Sequence, residues 1–371
     1  MLKKAISAAA AMAMLISAAG CETTPNTNVA GGTATSEIVV TEAPASEIES
    51  NEATAIEETV QPPVSEEINP LTGEIGYNAA AVGKRPVAVM VNNIKEALPQ
   101  YGIEQADIIY ELPVEGGITR LMAVYADYTA VPDVCSVRSC RYYYPLISLG
   151  MDAIYCHWGS DKSIALDTLN RTGIDHLDGE YESGLFYRDQ ERAASYSSEH
   201  IGYLKGSELA DKIAAKGFRT DVNAENSGTC FNFALSGEKA APSEMTANTV
   251  TVNFSNEYFS TFSYDAASGN YLKLHSGAPH VDGKTGTQLA FENVFVLQTY
   301  VGSYDGYLLD IGLSGGTGYY ISNGGAQTIT WSKPSESSPI EFYAADGSEL
   351  TVNVGESYIG IIGSDKIISF S

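Results

Sequence analysis

Between Arg85 and Asp161, five short apolar runs border side chains able to do chemistry. Residues 87–91 end in Asn92 and Asn93, and 107–110 end in Glu111. Residues 118–125 follow Glu115, Gly116 and Gly117 and carry Arg120; 134–137 run into Arg138, Ser139, Cys140 and Arg141; 153–156 end in His157. Two chemistries suit this set. Arginines and amides can hold an anionic group through charged, geometrically fixed hydrogen bonds. A glutamate with a histidine can move protons at a glycosidic or acyl bond. Carboxylates beside guanidiniums stay ionised, which favours base or nucleophile over acid. Arg188, Asp189 and His200 lie in an irregular polar stretch, 175–200, too long for a plain connection, and join the candidates.

The elements that must position these groups follow from the same runs. Five strand-like runs ending in polar residues predict a sheet whose strand ends form a binding surface. Ser139 precedes a helical pattern over 141–149 and is expected as its N-cap, with Arg138 and Arg141 beside a seat for carboxylate or phosphate. A second strand-to-helix junction spans 157–161, and its helix is closed by Gly173. Ser207 opens an amphipathic helix ended by Gly217. Beyond Thr220 the texture changes to short strands punctuated by Asp282-Gly283, Asn323-Gly324 and Asp346-Gly347. The expected fold class is an α/β or α+β N-terminal domain, residues 75–222, plus an antiparallel all-β C-terminal domain, residues 223–371.

The N-terminus supplies an address. Lys3 and Lys4 precede an apolar run, 5–19, too short to span a bilayer, so 1–20 read as a signal peptide. Ala18-Ala19-Gly20 before Cys21 matches a lipoprotein processing site, which leaves Cys21 lipidated. Residues 21–74 are expected to be a disordered acidic tether: 22–69 hold ten Glu and no Lys or Arg. As a flexible coil this segment reaches roughly 40 Å. The expected location is the outer face of the cell membrane. Of the net −25, ten negative charges lie in 22–69 and two positive charges in the leader, leaving −17 for the remainder. Such a body repels nucleic acid and anionic lipid. Cell-wall glycan or an envelope protein remain as partners. Cys135, Cys140, Cys156 and Cys230 allow three disulfide pairings. Their spacing with His157 matches no zinc ribbon or finger, so neither metal nor cofactor is expected.

At these residues the chain resembles the YerB-like lipoproteins of Gram-positive bacteria, a family defined by an N-terminal and a C-terminal domain of unknown function. The likeness runs from about Pro86 to the C-terminus. It rests on the segments 85–93, 105–111, 114–120, 137–141, 152–157 and 186–189 in the first half. In the second it rests on Gly277-Ala-Pro-His280 with Asp282, the strand around 293–297, 315–318 and the Trp331 strand. Ile201 after His200, Cys140, and Ser332-Lys333 after Trp331 depart from the pattern. The resemblance implies an anchored two-domain envelope protein and no particular activity.

Two functions of different class remain open to the sequence. One is a binding protein holding a wall-derived ligand or envelope partner through Asn92, Asn93, Arg120, Arg138, Ser139, Arg141, Arg188, Asp189 and His200. The other is a peptidoglycan- or glycan-acting hydrolase or transferase, with Glu115 or Glu111 as acid or base and His157 assisting. A Cys-His nucleophile through Cys140 or Cys156 is a third arrangement.

Overall fold

The computed structural model describes residues 65–223, 231–234, 237 and 239–371. The leader, Cys21, Cys230 and the tether up to residue 64 lie outside the described residues. Among these described residues strand dominates, with three short α-helices: α1 (Tyr143–Gly150), α2 (Ile164–Thr172) and α3 (Leu209–Lys216). No helix among the described residues is long and apolar enough to cross a membrane.

Apolar runs without polar alternation make strands that must be covered on both faces, and four of them build the middle of the main sheet. Val87–Asn92, Ile108–Pro113, Thr119–Tyr125 and Ile154–His157 are buried almost throughout. Thr119–Tyr125 is antiparallel to both Val87–Asn92 and Ile108–Pro113. Val87–Asn92 runs parallel to Ile154–His157, which runs parallel to His176–Asp178. On the other side, Ile108–Pro113 is parallel to Ser357–Gly363, which is parallel to Asn293–Thr299. Six strands therefore point the same way, and their carboxyl ends, at Asn92, Pro113, His157, Asp178, Thr299 and Gly363, share one edge. Three of the five expected runs, 87–92, 108–113 and 154–157, end on this edge, and Thr119–Tyr125 starts there.

Strands from both halves of the chain are hydrogen-bonded into this one sheet. Ser357–Gly363, buried at all seven positions, is inserted between Ile108–Pro113 and Asn293–Thr299. The C-terminal half is built of strands as expected, but its pairing is not wholly antiparallel. Asn293–Thr299 with Ser357–Gly363 is parallel because the chain makes a long crossover before returning beside a strand it already laid down.

Alternation splits the sheet's side chains between two layers. Ala88, Met90, Tyr110, Leu112, Met122 and Val124 pack with Tyr143, Tyr144 and Ile147 of α1. Val89, Val91, Ile109, Leu121 and Ala123 pack with Val250, Val252 and Phe262 of a second, antiparallel sheet. That sheet is formed around Thr249–Asn253, Phe259–Asp265 and Asn270–His275.

Three local expectations need correction. The tether does not continue to residue 74: Leu71 and Thr72 are buried, and Ile68 bridges Ile75, because an apolar Leu within reach of a core packs into it. Ser139 does not cap α1, which begins at Tyr143 with no side-chain cap. The run at 134–137 stays outside the main ladder. Only Val134–Cys135 is a strand, and it pairs with Gly202–Leu204.

Candidate functional site

The carboxyl edge of the sheet carries two polar clusters, one in each layer. Side-chain parity separates them: Glu111 shares a face with Ile109, toward the second sheet, whereas Arg120 shares a face with Met122, toward α1.

The first cluster is closed. Glu111 is 1% exposed. Its Oε1 accepts from Asn93 Nδ2 at 3.0 Å and Thr119 Oγ1 at 2.8 Å. Its Oε2 accepts from Ser260 Oγ at 2.8 Å and Tyr358 OH at 2.9 Å, and lies 3.3 Å from Lys273 Nζ. Lys273, fully buried, also donates to Ser260 Oγ at 2.9 Å and sits 3.1 Å from His280 Nδ1. His280 Nε2 meets Gln100 Oε1 at 2.9 Å, and Gln100 donates to Asn93 Oδ1 at 3.0 Å, closing a ring of partners. His275 Nε2 rests 3.0 Å from the Asn93 carbonyl. Burial would raise the Glu111 carboxyl, but Lys273, His275 and the donated hydrogen bonds outweigh it and hold the acid below its usual value. Burial lowers Lys273 against the pull of Glu111, and lowers His275 to about 4. This is a satisfied ion pair joining strands from the two chain halves.

The second cluster is cationic and reaches solvent. Arg120, at the start of its strand, donates from Nη1 to the Ser139 carbonyl at 2.7 Å. Among the described residues it has no carboxylate within ion-pair distance. Burial and then the like charges of Arg141 and Arg138 depress its guanidinium to about 10. Arg141 Nε pairs with Glu115 Oε2 at 2.8 Å, and Glu115 Oε1 accepts from Leu309 N at 3.3 Å. Arg138 Nη2 donates to Glu199 Oε2 at 2.6 Å, a pair exposed enough to open. Beside it, Asn92 Nδ2 lies 3.0 Å from His200 Nδ1. Arg188 stacks over Trp158, 4.1 Å from the ring centre, and Arg138 helps depress it after burial does.

The segment 137–140 makes this cluster possible. It lies extended between two strand ends: Val137 bridges Val91, Arg138 N donates to the Met90 carbonyl, and Cys140 N donates to the Gly159 carbonyl. Asn92, Glu115, Arg120, Arg138, Ser139, Arg141, Arg188 and His200 are thereby linked along one seam.

Four expected residues are not part of it. Glu111 and Asn93 belong to the closed cluster. His157 is fully buried, with Nδ1 2.9 Å from the Gly159 carbonyl and Nε2 3.0 Å from His176 Nδ1. Burial lowers it to about 4, so it is a neutral core histidine. Its side chain leaves the sheet on the face opposite Glu111, so that pair cannot act on one bond. Asp189 caps a turn, accepting from Glu191 N and Arg192 N. Cys135, Cys140 and Cys156 are buried free thiols, and burial raises each of them, Cys140 to about 12, which removes the thiolate a Cys-His mechanism needs.

Sequence reasoning missed Gln100, Ser260, Lys273, His275 and Tyr358. Of this closed cluster the sequence singles out Asn93, Glu111 and, within the Gly277–His280 motif, His280.

Comparisons with known proteins agree with this architecture. The family described as protein of unknown function (DUF3048), N-terminal domain, matches residues 71–219, and the corresponding C-terminal domain matches 250–359. The YerB protein of Bacillus subtilis (strain 168), named as a lipoprotein, is 29% identical over 303 residues, covering 79% of this chain and 85% of its own. A crystal structure of YerB from Bacillus subtilis superimposes with a TM-score of 0.68 at 26% identity. It spans 82% of this chain and 99% of that one.

Proposed function

The chain belongs to the DUF3048 family, and from that premise we propose that it is a lipid-anchored extracytoplasmic lipoprotein that binds a cell-wall-derived ligand through a carboxylate. Cys21 carries the anchor and the acidic tether holds the body away from the membrane. The seam of Arg120, Arg138 and Arg141 takes the anionic group. One observation supports this reading above the rest: the nearly buried guanidinium of Arg120 has, among the described residues, a neutral carbonyl as its hydrogen-bond partner and no carboxylate, with two further guanidiniums beside it. Unbalanced buried charge is costly, and an incoming carboxylate would balance it with charged hydrogen bonds. The lipoprotein name of the Bacillus relative supports the anchoring half of the proposal.

Calorimetric titration of the full chain with soluble muropeptides tests the binding half. Binding is expected to weaken with added salt and by roughly tenfold or more in Arg138→Ala, the loss of one charged hydrogen bond. Equal affinity in wild type and Arg138→Ala overturns the proposal. Radiolabelled palmitate incorporated by wild type and not by Cys21→Ser checks the anchor.

A further inference from the structure

Next to the arginine seam, where three parallel strands end, lies a pocket that the anion-binding reading does not use. Its walls come from both chain halves: Val114, Glu115 and Gly117 from the first, Tyr307, Leu309 and Lys366 from the second. At about 240 Å³ it is smaller than the roughly 300–1,000 Å³ of pockets for drug-sized ligands, so it suits a single ring of a longer molecule.

One aromatic ring of its wall is open to solvent: Tyr307 is 71% exposed. Along the chain segments that line the pocket, Tyr300, Tyr304 and Ile367 are 61%, 62% and 69% exposed. They occupy two neighbouring loops, the hairpin joining Val301–Ser303 to Leu309–Ile311 and the turn after Gly363, held together where Ser364 N donates to the Thr299 carbonyl. Scattered exposed apolar groups need no explanation, but an exposed ring in the wall of a concavity, on a segment carrying others, is the kind of surface that interaction sites use. Tyrosine offers a flat apolar face with a polar tip and little conformational entropy to lose.

The pocket's polar groups are few and of mixed sign. Glu115, 9% exposed, is fixed by Arg141 and by Leu309 N, and Lys366 stands at the lip beside Asp365. Phe254 and Ile362 add apolar wall. Gly116 and Gly117 both hold positive φ, at +80° and +73°, and a Cβ at Gly116 would meet nothing, so backbone conformation rather than crowding selects glycine there. The Gly117 carbonyl accepts from Ser255 Oγ at 2.6 Å, which pins this lip to the other half.

Apolar rings for stacking, a carboxylate and an ammonium for hydroxyl groups, and room for one ring together describe a saccharide subsite. We propose that this pocket, with Tyr307 in its wall, binds one pyranose ring of an uncharged glycan chain. It would give the carboxylate reading above, on which it rests, its second point of contact: a wall fragment would lay sugar on Tyr307 and acid on the arginines, joined through the Glu115–Arg141 pair. The body's own negative charge leaves a neutral polymer unopposed.

The test is saturation-transfer NMR and calorimetry of the full chain with the uncharged trisaccharide of N-acetylglucosamine. Saturable binding with Kd on the order of 1 mM is expected, unaffected by salt, and weakened about tenfold in Tyr307→Ala. Tyr181→Ala, which removes an equally exposed tyrosine elsewhere, should bind as wild type does. No saturable binding, or equal binding by Tyr307→Ala, overturns the proposal. The two readings fail separately. A chain that binds muropeptide in an Arg138-dependent way but ignores the trisaccharide loses only the glycan subsite. One that binds the trisaccharide through Tyr307 yet is indifferent to Arg138→Ala loses only the anion seam.

Discussion

Two clusters of like composition sit on opposite faces of one sheet edge, and they differ in how their charge is balanced. Around Glu111 every hydrogen-bonding group that would otherwise lack water finds a partner in the protein, and the basic member, Lys273, is fully buried. Around Arg120 three cations meet two carboxylates, one of which, Glu199, is itself exposed. The first arrangement fastens two chain halves; the second leaves positive charge facing outward. Residue type alone does not separate a strut from a site. Partner count and access do.

The largest effect should come from breaking the strut. Lys273→Ala leaves the Glu111 carboxylate buried without its cation, and such a loss costs about 3–5 kcal/mol. Urea unfolding reads it directly. The double variant Glu111→Gln with Lys273→Met should recover part of that loss, because neither side then carries an unpaired buried charge while the amide oxygen still accepts from the donors around it. If Lys273→Ala costs no more than an exposed substitution, the closed cluster is not what joins the halves.

Acid should weaken the same face, by a smaller amount. His275 is lowered from 6.5 to about 4, by burial first and then by Lys273. A depressed histidine binds protons more readily when unfolded. Its contribution is therefore complete above pH 6.5 and lost as pH falls toward 4. At pH 5 this amounts to about 2 kcal/mol for such a group. Glu111, also lowered, adds to the loss further down, through the carboxylate range. The midpoint of urea unfolding should fall between pH 7 and pH 5, and less so in His275→Gln. An identical pH profile for that variant would remove His275 from the account.

Much of this edge was legible in the sequence, and the parts that were not share a cause. Runs such as 87–91 and 153–156 are strongly apolar and end in polar residues, so both the strands and their common edge could be read. Ser357–Gly363 could not: Gly360 and Gly363 break its apolar run into short pieces. Lys273 was hidden by a parity conflict. In Asn270–His275 the aliphatic Leu272 and Leu274 invite an inward assignment, yet Tyr271, Lys273 and His275 are the buried set. Their inward face is explained only by a carboxylate, Glu111, that lies 162 positions earlier in the sequence. His157 shows the reverse. Its place at a strand end suggested a site, but the neighbouring strand brings His176 and Asp178 against it.

The smallest effect discriminates best. Arg138→Ala removes a side chain whose ion pair with Glu199 is partly solvated, and exposed pairs of this kind contribute under about 1 kcal/mol. Stability should hardly move, even though the same change is expected to weaken muropeptide binding roughly tenfold. A strut shows the opposite pattern, with stability lost and no ligand to lose. Measuring unfolding and binding on one preparation of Arg138→Ala places the residue in one class or the other. A stability loss as large as that of Lys273→Ala would mean the seam braces the edge just as the Glu111 cluster does. A near-silent unfolding curve with weakened binding would mean the two faces have divided the work, one holding the halves together and the other holding what the halves receive.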